Sequence, residues 1–346
     1  MVINKIPSPT WNWLHMNDGA AEGFEILNES EVDIHIPEGV DIENGPLALE
    51  EIKTGSGDET DAFIREMSLS CDRITVPANT EFTEPIRMSF SYEKDVSDAN
   101  IYAVEVKENA SLTLIMNFTS QAQAKGNVLS QLKYRCQKGA SLTVVQTQMI
   151  SDEISFINDI GGECEEDAQF HLIQVVFGGK QTYLGSRTEL LGKRSASTAD
   201  LGYLLTGSEA LDVNYIVNHI GKKTNCDILV NGVLKDAAKK VFRGTIDFKK
   251  GAAGSVGSEL EDVLLMGEDI TNQTLPVILC AEEDVEGNHG ATIGELDEDL
   301  MFYLMSRGST REEIYNMMSR ARIEVIAKKI ADEETRQMIF DHMDEK

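Results

Sequence analysis

The distribution of apolar and polar residues predicts strands over most of the chain. Between about residues 70 and 285, polar turns are followed by a small residue and then by alternating or continuous apolar residues, as in KENASLTLI and QKGASLTVV. Such alternation in segments rich in β-branched residues is typical of strands, and the 3.6-residue period of a helix is missing. We therefore expect a mainly β fold here.

A weak internal repeat indicates how these strands are arranged. A small residue recurs in successive units, first after 30 residues and then in steps of 28. These residues are Ala110, Ala140, Ala168, Ala196, Thr224 and Ala252. A strand-rich unit of fixed length cannot bury its apolar face alone, but stacking on its neighbours can. The repeat predicts a β-solenoid, most simply a parallel β-helix.

The segments that flank the repeat have other patterns. Pro37 and Pro77 each follow a short apolar strand, which suits edge or capping rungs, where a missing N–H is tolerated. From about residue 297 the apolar residues take helical spacing. We interpret the chain as a short N-terminal arm or capping segment (1–69), a β-helix (70–296) and a C-terminal helical domain (297–346).

The C-terminal segment predicts two or three helices. Gly308 is placed to end the first, and Ser309 with Glu312 forms a candidate capping box for the next. The expected apolar positions of this second helix are Ile314, Met317, Met318, Ala321, Val325 and Ile326. Its methionines suit either a helical core or an adaptable partner surface. The helices are candidates for an end cap of the solenoid or for a partner-binding element.

Charge and composition narrow the functional classes. The net charge of −28 disfavours nucleic acid and anionic membranes, both of which require clustered Lys and Arg. No apolar run reaches the roughly 18–20 residues of a membrane span, and the N-terminus lacks the features of a signal peptide. The five cysteines are dispersed without a C-x-x-C pair. We expect a cytoplasmic protein that binds neither nucleic acid nor membrane.

Motifs for nucleotide binding and hydrolysis are absent from the sequence. HIGKKT (residues 219–224) is similar to the end of a Walker A loop, but Ile216 stands where glycine is required and Lys223 where Ser or Thr is required. We interpret it as a polar turn of the solenoid. H-E-x-x-H, G-x-S-x-G and a zinc-type Cys/His quartet are also missing.

Cysteines and histidines give only weak metal signals. Cys164 with His171 and His219 with Cys226 are each seven residues apart, which would place the two side chains on opposite faces of one strand. Cys136 and Cys164 occupy the same place in successive repeats, so we expect them to stack in adjacent rungs. A buried apolar ladder is the favoured interpretation, and a pair of sulfur ligands is the alternative.

One histidine has a more suggestive setting. His289 lies among small residues in DVEGNHGATIGELDEDLMFYLMSRG, after the acids Glu282, Glu283, Asp284 and Glu286. These acids fit a solvated turn. Together with His289 they also offer the oxygen and imidazole donors that bind iron or zinc.

The same region carries a family resemblance. NHGATIGELDEDLMFYLMSRGSTREEIYNMMSRARIEVI, with the upstream LLMGEDITNQTLPVI and the KKGA turn, resembles the SufB/SufD family of iron–sulfur cluster assembly proteins. The resemblance covers about residues 60–330. It implies a right-handed parallel β-helix followed by C-terminal helices, which agrees with the fold expected from the repeat.

The resemblance also implies partners and a cargo. It implies a non-catalytic scaffold that pairs with itself or with a SufB-type subunit through its β-helix. The C-terminal helices would bind the ABC ATPase SufC, which would supply the ATPase activity. An iron–sulfur cluster would be held transiently, in the complex.

Three residues match or replace family site residues. His289 matches the family histidine at the interface of the pair, a proposed ligand of the cluster or of iron. Glu261 stands where the resemblance leads us to expect the cysteine of a SufB-type subunit, and Glu286 is the carboxylate nearest to His289. The chain therefore looks closer to SufD than to SufB, and His289, Glu286 and Glu261 are the candidate metal ligands.

The N-terminus departs from longer family members because it has little room for a helical domain. We expect IPSPTWNWLHMN to form an extended or capping arm, with Trp11 and Trp13 packed on the solenoid or on a neighbour.

Two other functions are alternatives to a SufD-like scaffold. A polysaccharide lyase or hydrolase on a β-helix is disfavoured by the aromatic content of 6%. A purely structural adaptor for the ATPase, with no cluster ligand of its own, remains an alternative. The two interpretations differ in one observable: the interface of a scaffold would depend on metal, and that of an adaptor would not.

Overall fold

The computed structural model describes residues 1–345, and two long sheets dominate it. The chain alternates between the sheets, so each long strand pairs in parallel with the strand two places along the sequence. This arrangement is a parallel β-helix followed by helices, which confirms the fold class. Lys346, the last residue of the expected C-terminal domain, lies outside the described residues.

In both sheets, the strands lie side by side in sequence order from the N-terminal to the C-terminal end of the solenoid. Sheet I contains β5 (Asp41–Gly45), β6 (Cys71–Val76), β8 (Asp95–Val106), β10 (Lys125–Cys136), β12 (Glu153–Cys164), β14 (Gln181–Leu190), β16 (Ala210–His219), β18 (Lys239–Phe248) and β20 (Thr271–Cys280). Sheet II contains β4 (Asp33–His35), β7 (Ile86–Tyr92), β9 (Ser111–Ser120), β11 (Ser141–Ile150), β13 (Gln169–Gly178), β15 (Ala196–Leu205), β17 (Asn225–Lys235), β19 (Ser255–Met266) and β21 (Val285–Gly294).

Short strands finish the N-terminal end. β4 pairs antiparallel with β7, and β5 pairs antiparallel with β6. Pro37 lies in the turn between β4 and β5. Pro77 follows β6, the first parallel strand of sheet I. Both prolines therefore belong to terminal rungs, as expected. Elsewhere β3 (Asn28–Glu29) joins β8, and β1 (Val2–Ile3) forms a hairpin with β2 (Gly19–Ala20).

The repeated small residue lies at a corner between the sheets. It is buried, and the residue before it takes a positive φ, as at Asn109 (53°) before Ala110 and Asp167 (60°) before Ala168. A left-handed residue turns the chain sharply, and short polar side chains tolerate this conformation best. The polar turn and the small residue are therefore two parts of one corner.

The repeat is less regular than the sequence suggests. The pairing of Gln169 with Ala196 puts Ser195, and not Ala196, in the corner position. In the same way, the pairing of Asn225 with Val256 puts Ser255 in the place expected for Ala252. The expectation was wrong for Ala196, because turns of different length separate strands that remain in register. Ala252 does lie buried at a corner after Gly251, which takes a positive φ, but a second turn separates it from β19.

Apolar side chains fill the space between the sheets. Tyr134 stacks on Phe170 with their ring centroids 3.9 Å apart. Cys136 pairs in register with Cys164, and both are fully buried, which confirms the expected ladder in adjacent rungs. Burial of apolar surface at about 25 cal/mol per Å² makes this continuous core the main stabilising contribution of the solenoid.

Three C-terminal helices follow the last strand: α2 (Glu298–Ser306), α3 (Arg311–Ala327) and α4 (Glu333–Glu345). α3 and α4 lie on the outer face of sheet II, and α2 contacts α3. α3 packs against β13, β15 and β17 through the buried Ile323 and Ile326. These are middle rungs, so α3 does not close the C-terminal end of the solenoid, and of the two alternatives for the helices the end cap is not supported for α3.

The start of α3 lies one residue later than expected. The capping box consists of Thr310 and Glu313, because Gly308 takes a positive φ and the N–H of Ser309 still bonds to α2 at Leu304. The apolar stripe also differs from the expected one. Ile314, Ile323, Ile326 and Ala327 are buried, Met318 packs against the buried cluster, and Met317, Ala321 and Val325 are exposed. The two adjacent methionines thus divide between core and surface.

The N-terminal residues cover the outer face of sheet I. They include α1 (Asp58–Met67), a helix that the sequence did not predict. Buried polar side chains tie this layer to the sheet: Gln131 donates to both Asp61 and Asp159. Burial, with the neighbouring Asp61 as the next cause, raises the pKa of Asp159 to about 6.

Over residues 1–345, every helix is too short or too polar to cross a bilayer. The three-part division of the chain stays a prediction.

Candidate functional site

The C-terminal end of the β-helix is open. β20 and β21 end their sheets, and among the described strands each has a hydrogen-bonded neighbour on one side only. Most residues of β21 are exposed, including those that face the space between the sheets. We call β20 and β21, with the inner side chains beneath them, the open end. An unpaired edge of this kind is a template for another strand.

The core changes from apolar to charged as it approaches the open end. In one column of sheet II, the buried Ile228 of β17 is followed by Glu259 of β19 and then by His289 of β21. In the next column, Val230 is followed by Glu261. Paired residues in a parallel sheet point to the same face. His289 therefore points inward, above two acids that replace the apolar side chains of earlier rungs.

Glu261 is held by a buried lysine. The Lys240 ammonium donates to Glu261 across the interior, and both side chains are almost completely inaccessible to solvent. The hydroxyl of Thr274 on β20 donates to the other carboxylate oxygen at 2.8 Å. Burial lowers the pKa of Lys240, and the adjacent Glu261 opposes that effect. A buried ion pair requires such additional hydrogen bonds to satisfy its remaining lone pairs.

Glu259 lies beside this pair without a lysine of its own. It occupies space left by a glycine, because a Cβ on Gly244 of β18 would stand 1.9 Å from Oε2 of Glu259. Burial raises the pKa of Glu259 to about 8, with the charge of Glu261 as the next cause. One lysine thus faces two carboxyl groups, and the second carboxyl group retains its proton near neutral pH.

His289 is exposed and lies directly above Glu259. Its inward orientation is supported by Gly287, two residues earlier, where a Cβ would contact the core residues Phe248 and Ile278 at 3.1 and 3.2 Å. The strand register places the imidazole of His289 at the open end of the solenoid, one rung above the buried acids.

The structure does not bring Glu286 to His289. Glu286 pairs in register with the exposed Val256, and the strand alternates, so Glu286 lies on the outer face while His289 lies on the inner face. On that outer face Asn288 donates to Glu286 at 3.2 Å. Of the three predicted ligands, only His289 and Glu261 share a face, and they are offset by two positions in register.

Within residues 1–345, no group of three or more His, Cys, Asp or Glu side chains stands close enough to hold a metal ion. The open end nevertheless supplies an accessible imidazole and two carboxyl groups, which are donors for ferrous iron. An imidazole binds a metal ion through a neutral ring nitrogen, so His289 would act as a ligand in its neutral form.

Lys240 and Glu259 were not predicted from the sequence. A signal for Glu259 was present: in GSELEDV, acids alternate with apolar residues where earlier repeats have Ile228 and Val230. An acid at a core position of a strand is a departure from the pattern. Lys240 gave no comparable signal, because lysines are common in the polar turns between strands, and KKV (residues 239–241) directly follows such a turn.

The other cysteine and histidine candidates lie away from the open end or on its rim. His219 and Cys226 do meet, with Nε2 and Sγ 3.1 Å apart, because a corner and not a continuous strand joins them. The expectation of opposite faces was wrong for this reason. Both residues are buried, and burial lowers the pKa of His219 to about 4. Cys280, at the end of β20, is the one exposed cysteine.

Comparison with known proteins decides the family. Residues 91–322 match the family described as "SUF system FeS cluster assembly, SufBD core domain". This match includes β8 to β21 and most of α3. The chain belongs to the SufBD family.

Individual SufBD proteins show the same relationship. The chain is 25% identical to the iron-sulfur cluster assembly protein SufD of Bacillus subtilis over 243 residues, which is 69% of this chain and 55% of that protein. It is 26% identical to SufD of Escherichia coli over 175 residues, 51% of this chain and 41% of that protein. For SufB of Bacillus subtilis the identity is 24% over 260 residues, 74% of this chain and 56% of that protein. The chain spans about half the length of the curated relatives that it matches.

Proposed function

We propose that this SufBD protein is a SufD-like, non-catalytic scaffold subunit of a cytoplasmic complex that assembles iron–sulfur clusters. It would pair through the open end with a second copy or with a SufB-type subunit. The observation that carries the proposal is the charged interior at that end. Burial of Glu259, Glu261 and Lys240 is costly in an apolar core, and the position of Glu259 directly below an accessible histidine favours a site completed by another chain.

In the proposed site, His289 provides the ligand that reaches across the interface. Glu259 lies directly below it, and Glu261 lies in the next column. The carboxylates suit a hard ferrous ion, whereas sulfide and a thiolate from the partner would suit the finished cluster. The iron and the cluster are cargo of the scaffold. The inner carboxyl groups would become available only if the end rung opened, because Lys240 holds Glu261 in the free chain.

The C-terminal helices support coupling to an ABC ATPase of the SufC type. α2 exposes large apolar side chains, with Phe302 75% and Tyr303 51% exposed, and Met317 of α3 is 51% exposed. Exposed aromatic and methionine side chains are frequent in protein interfaces. The opposite side of α3 is fixed to sheet II, so a force on these helices would be transmitted to the β-helix.

Co-purification tests the partners of the proposed scaffold. The chain is expressed with a SufC-type ATPase and a SufB-type subunit, and the stoichiometry of the isolated complex is measured. We expect Phe302→Ala with Tyr303→Ala to lose the ATPase but to retain the sister scaffold. Leu191→Ala, an exposed apolar residue at a corner of the solenoid, is the matched control. If the ATPase binds the double variant as it binds the wild type, the proposed role of α2 is refuted.

A purely structural adaptor is the second candidate. It is favoured by one observation, that the described part of the chain holds no complete metal site of its own. An adaptor would bind the same partners, and the loss of His289 would not affect the iron content of the complex.

A further inference from the structure

The N-terminal arm presents two exposed indole rings at a place that the proposed function does not use. Trp11 and Trp13 are 73% and 71% exposed, so they do not pack on the solenoid of their own chain. Trp11 directly precedes a 3-10 turn, Asn12–Leu14, at the tip of a loop, and Trp13 is the middle residue of that turn. We call residues 6–17 the tryptophan loop.

Hydrogen bonds close the base of the tryptophan loop and brace its tip. The N–H of Ile6 donates to the carbonyl of Asn17 at 2.9 Å. The side chain of Asn17 accepts from the N–H of Thr10 at 2.7 Å and donates to Oδ1 of Asn12 at 3.0 Å. The loop is therefore ordered before any partner binds, which reduces the entropy lost on association.

A buried arginine fixes the loop to the sheet. Arg243 of β18 is 1% exposed, and its guanidinium donates to the carbonyls of Met16 at 2.6 Å and Asp18 at 3.0 Å. Its third contact is Asp212 of β16, at 2.5 Å. Asn4, on the other leg of the arm, donates to the same carboxylate at 2.8 Å. Both legs are thus anchored near the C-terminal end of sheet I.

The arm advances toward the open end strand by strand. The carbonyl of Ala20 accepts from Tyr183 on β14, Gly19 lies over Asp212 on β16, and Met16 lies over Arg243 on β18. Residues 11–14 form the tip of the loop whose base is at Met16, and β20 is the strand next to β18. The base of the tryptophan loop therefore lies one strand from the open edge, on the outer face of sheet I.

The outer face of β20 is apolar beside this loop. Arg243 points outward and pairs in register with Leu275, so the alternate residues Leu275, Val277 and Leu279 also face outward. All three are partly exposed. A strand with apolar residues on its outer face and an unpaired edge is a surface that a partner can extend.

We propose that the tryptophan loop is a docking element of the scaffold pair, and that its indoles cover the outer apolar face of β20 in a second copy of the chain. This inference rests on the proposed pairing through the open end. In a pair with twofold symmetry, each loop would reach the β20 of the other chain, so the contact would form twice. Large indoles are well suited to such anchoring contacts.

The composition of the chain provides a specific probe. Trp11 and Trp13 are its only tryptophans, so its intrinsic tryptophan emission reports on the loop alone. The full chain is studied by sedimentation over a range of concentrations, and in parallel with a tryptophan-free SufB-type partner. The emission maximum is recorded on the same samples. We expect a shift to shorter wavelength that follows the formation of the pair.

Three variants separate the possible results. Trp11→Ala with Trp13→Ala should raise the Kd of the pair about 30-fold or more, equivalent to about 2 kcal/mol. Leu27→Ala is the matched control, because Leu27 is 77% exposed but lies beside β8 at the other end of the solenoid. Leu279→Ala should weaken the pair by itself and should add little to the double tryptophan variant.

The outcomes distinguish the docking element from the pairing itself. If the wild-type scaffold pairs and the double tryptophan variant pairs equally well, the docking element is refuted while pairing through the open end stands. If the variant loses only the ATPase, the loop serves a different partner and the inference is overturned. If the wild type pairs with neither a second copy nor a SufB-type subunit, both proposals fail.

Discussion

The buried carboxyl group of Glu259 gives the sharpest physical prediction. Its pKa is raised from 4.5 to about 8 in the folded chain, so the folded state binds more protons than the unfolded state between these two values. Stability of the end rungs must therefore fall as the pH rises through this window, and the loss is complete above about pH 8. Replacement by the neutral isostere, Glu259→Gln, removes this dependence while keeping the volume opposite Gly244.

The magnitude follows from the size of the shift. At about 1.4 kcal/mol per pH unit, the advantage of Glu259→Gln over the wild type grows across the window to at most about 5 kcal/mol. Opening of the last rungs to water reduces this value, because the solenoid can unfold locally from its end.

Hydrogen exchange measures the effect where it occurs. Protection of peptides from β19 and β21 is compared between wild type and Glu259→Gln at equal pH, in steps from pH 5.5 to 8.5. The two proteins should diverge as the pH rises. Glu286→Gln, on the outer face of β21, is the control and should show no such divergence. A difference between wild type and Glu259→Gln that is the same at every pH would refute the assignment of a buried, protonated acid.

Three further predictions concern other parts of the fold. Cys280 is exposed and the other four cysteines are buried, so a thiol reagent should modify one cysteine in the native chain and all five after denaturation. Burial lowers the pKa of His219 from 6.5 to about 4, so stability should fall by roughly 3 kcal/mol as the pH drops through that range. His219→Gln should remove this dependence in urea unfolding. Asp332 accepts from the N–H of Thr335 and pairs with Arg87 at 2.6 Å. Asp332→Ala should therefore cost about 1–2 kcal/mol, seen as faster exchange in α4, and unchanged exchange there would contradict this role.

The regular part of the fold was predictable from the sequence. The period of two within strands and the recurring small residue were sufficient for a parallel β-helix, because each corner needs the same chemistry. The positions of Ser195 and Ser255 were not predictable. The length of a turn varies without disturbing the register of the strands, so a constant repeat misplaces individual residues.

Contacts between side chains on the two sides of a solenoid corner were also not predicted from the sequence. His219 and Cys226 meet only because the chain turns a corner between them. α1 was missed because its sequence is short and acidic, and its buried face is formed largely by polar residues such as Thr60 and Asp61.

The candidate site was predictable only in part. The resemblance singled out His289, and sequence proximity suggested Glu286, but alternation along β21 separates these two side chains. Glu259 lies thirty residues away in sequence and directly below His289 in the ladder. The register of a parallel sheet, which the sequence does not specify to the residue, decides which carboxyl group lies near the imidazole.

The most direct test of the scaffold function is the iron content of the assembled complex. The chain, its SufB-type partner and the ATPase are purified together and reconstituted anaerobically with ferrous iron and sulfide. Bound iron and visible absorbance are then measured for wild type, His289→Ala and the outer-face control Glu286→Gln. The scaffold function predicts that all three complexes form and that only His289→Ala fails to hold a cluster. A cluster retained in full by His289→Ala would contradict it and would identify the chain as an adaptor.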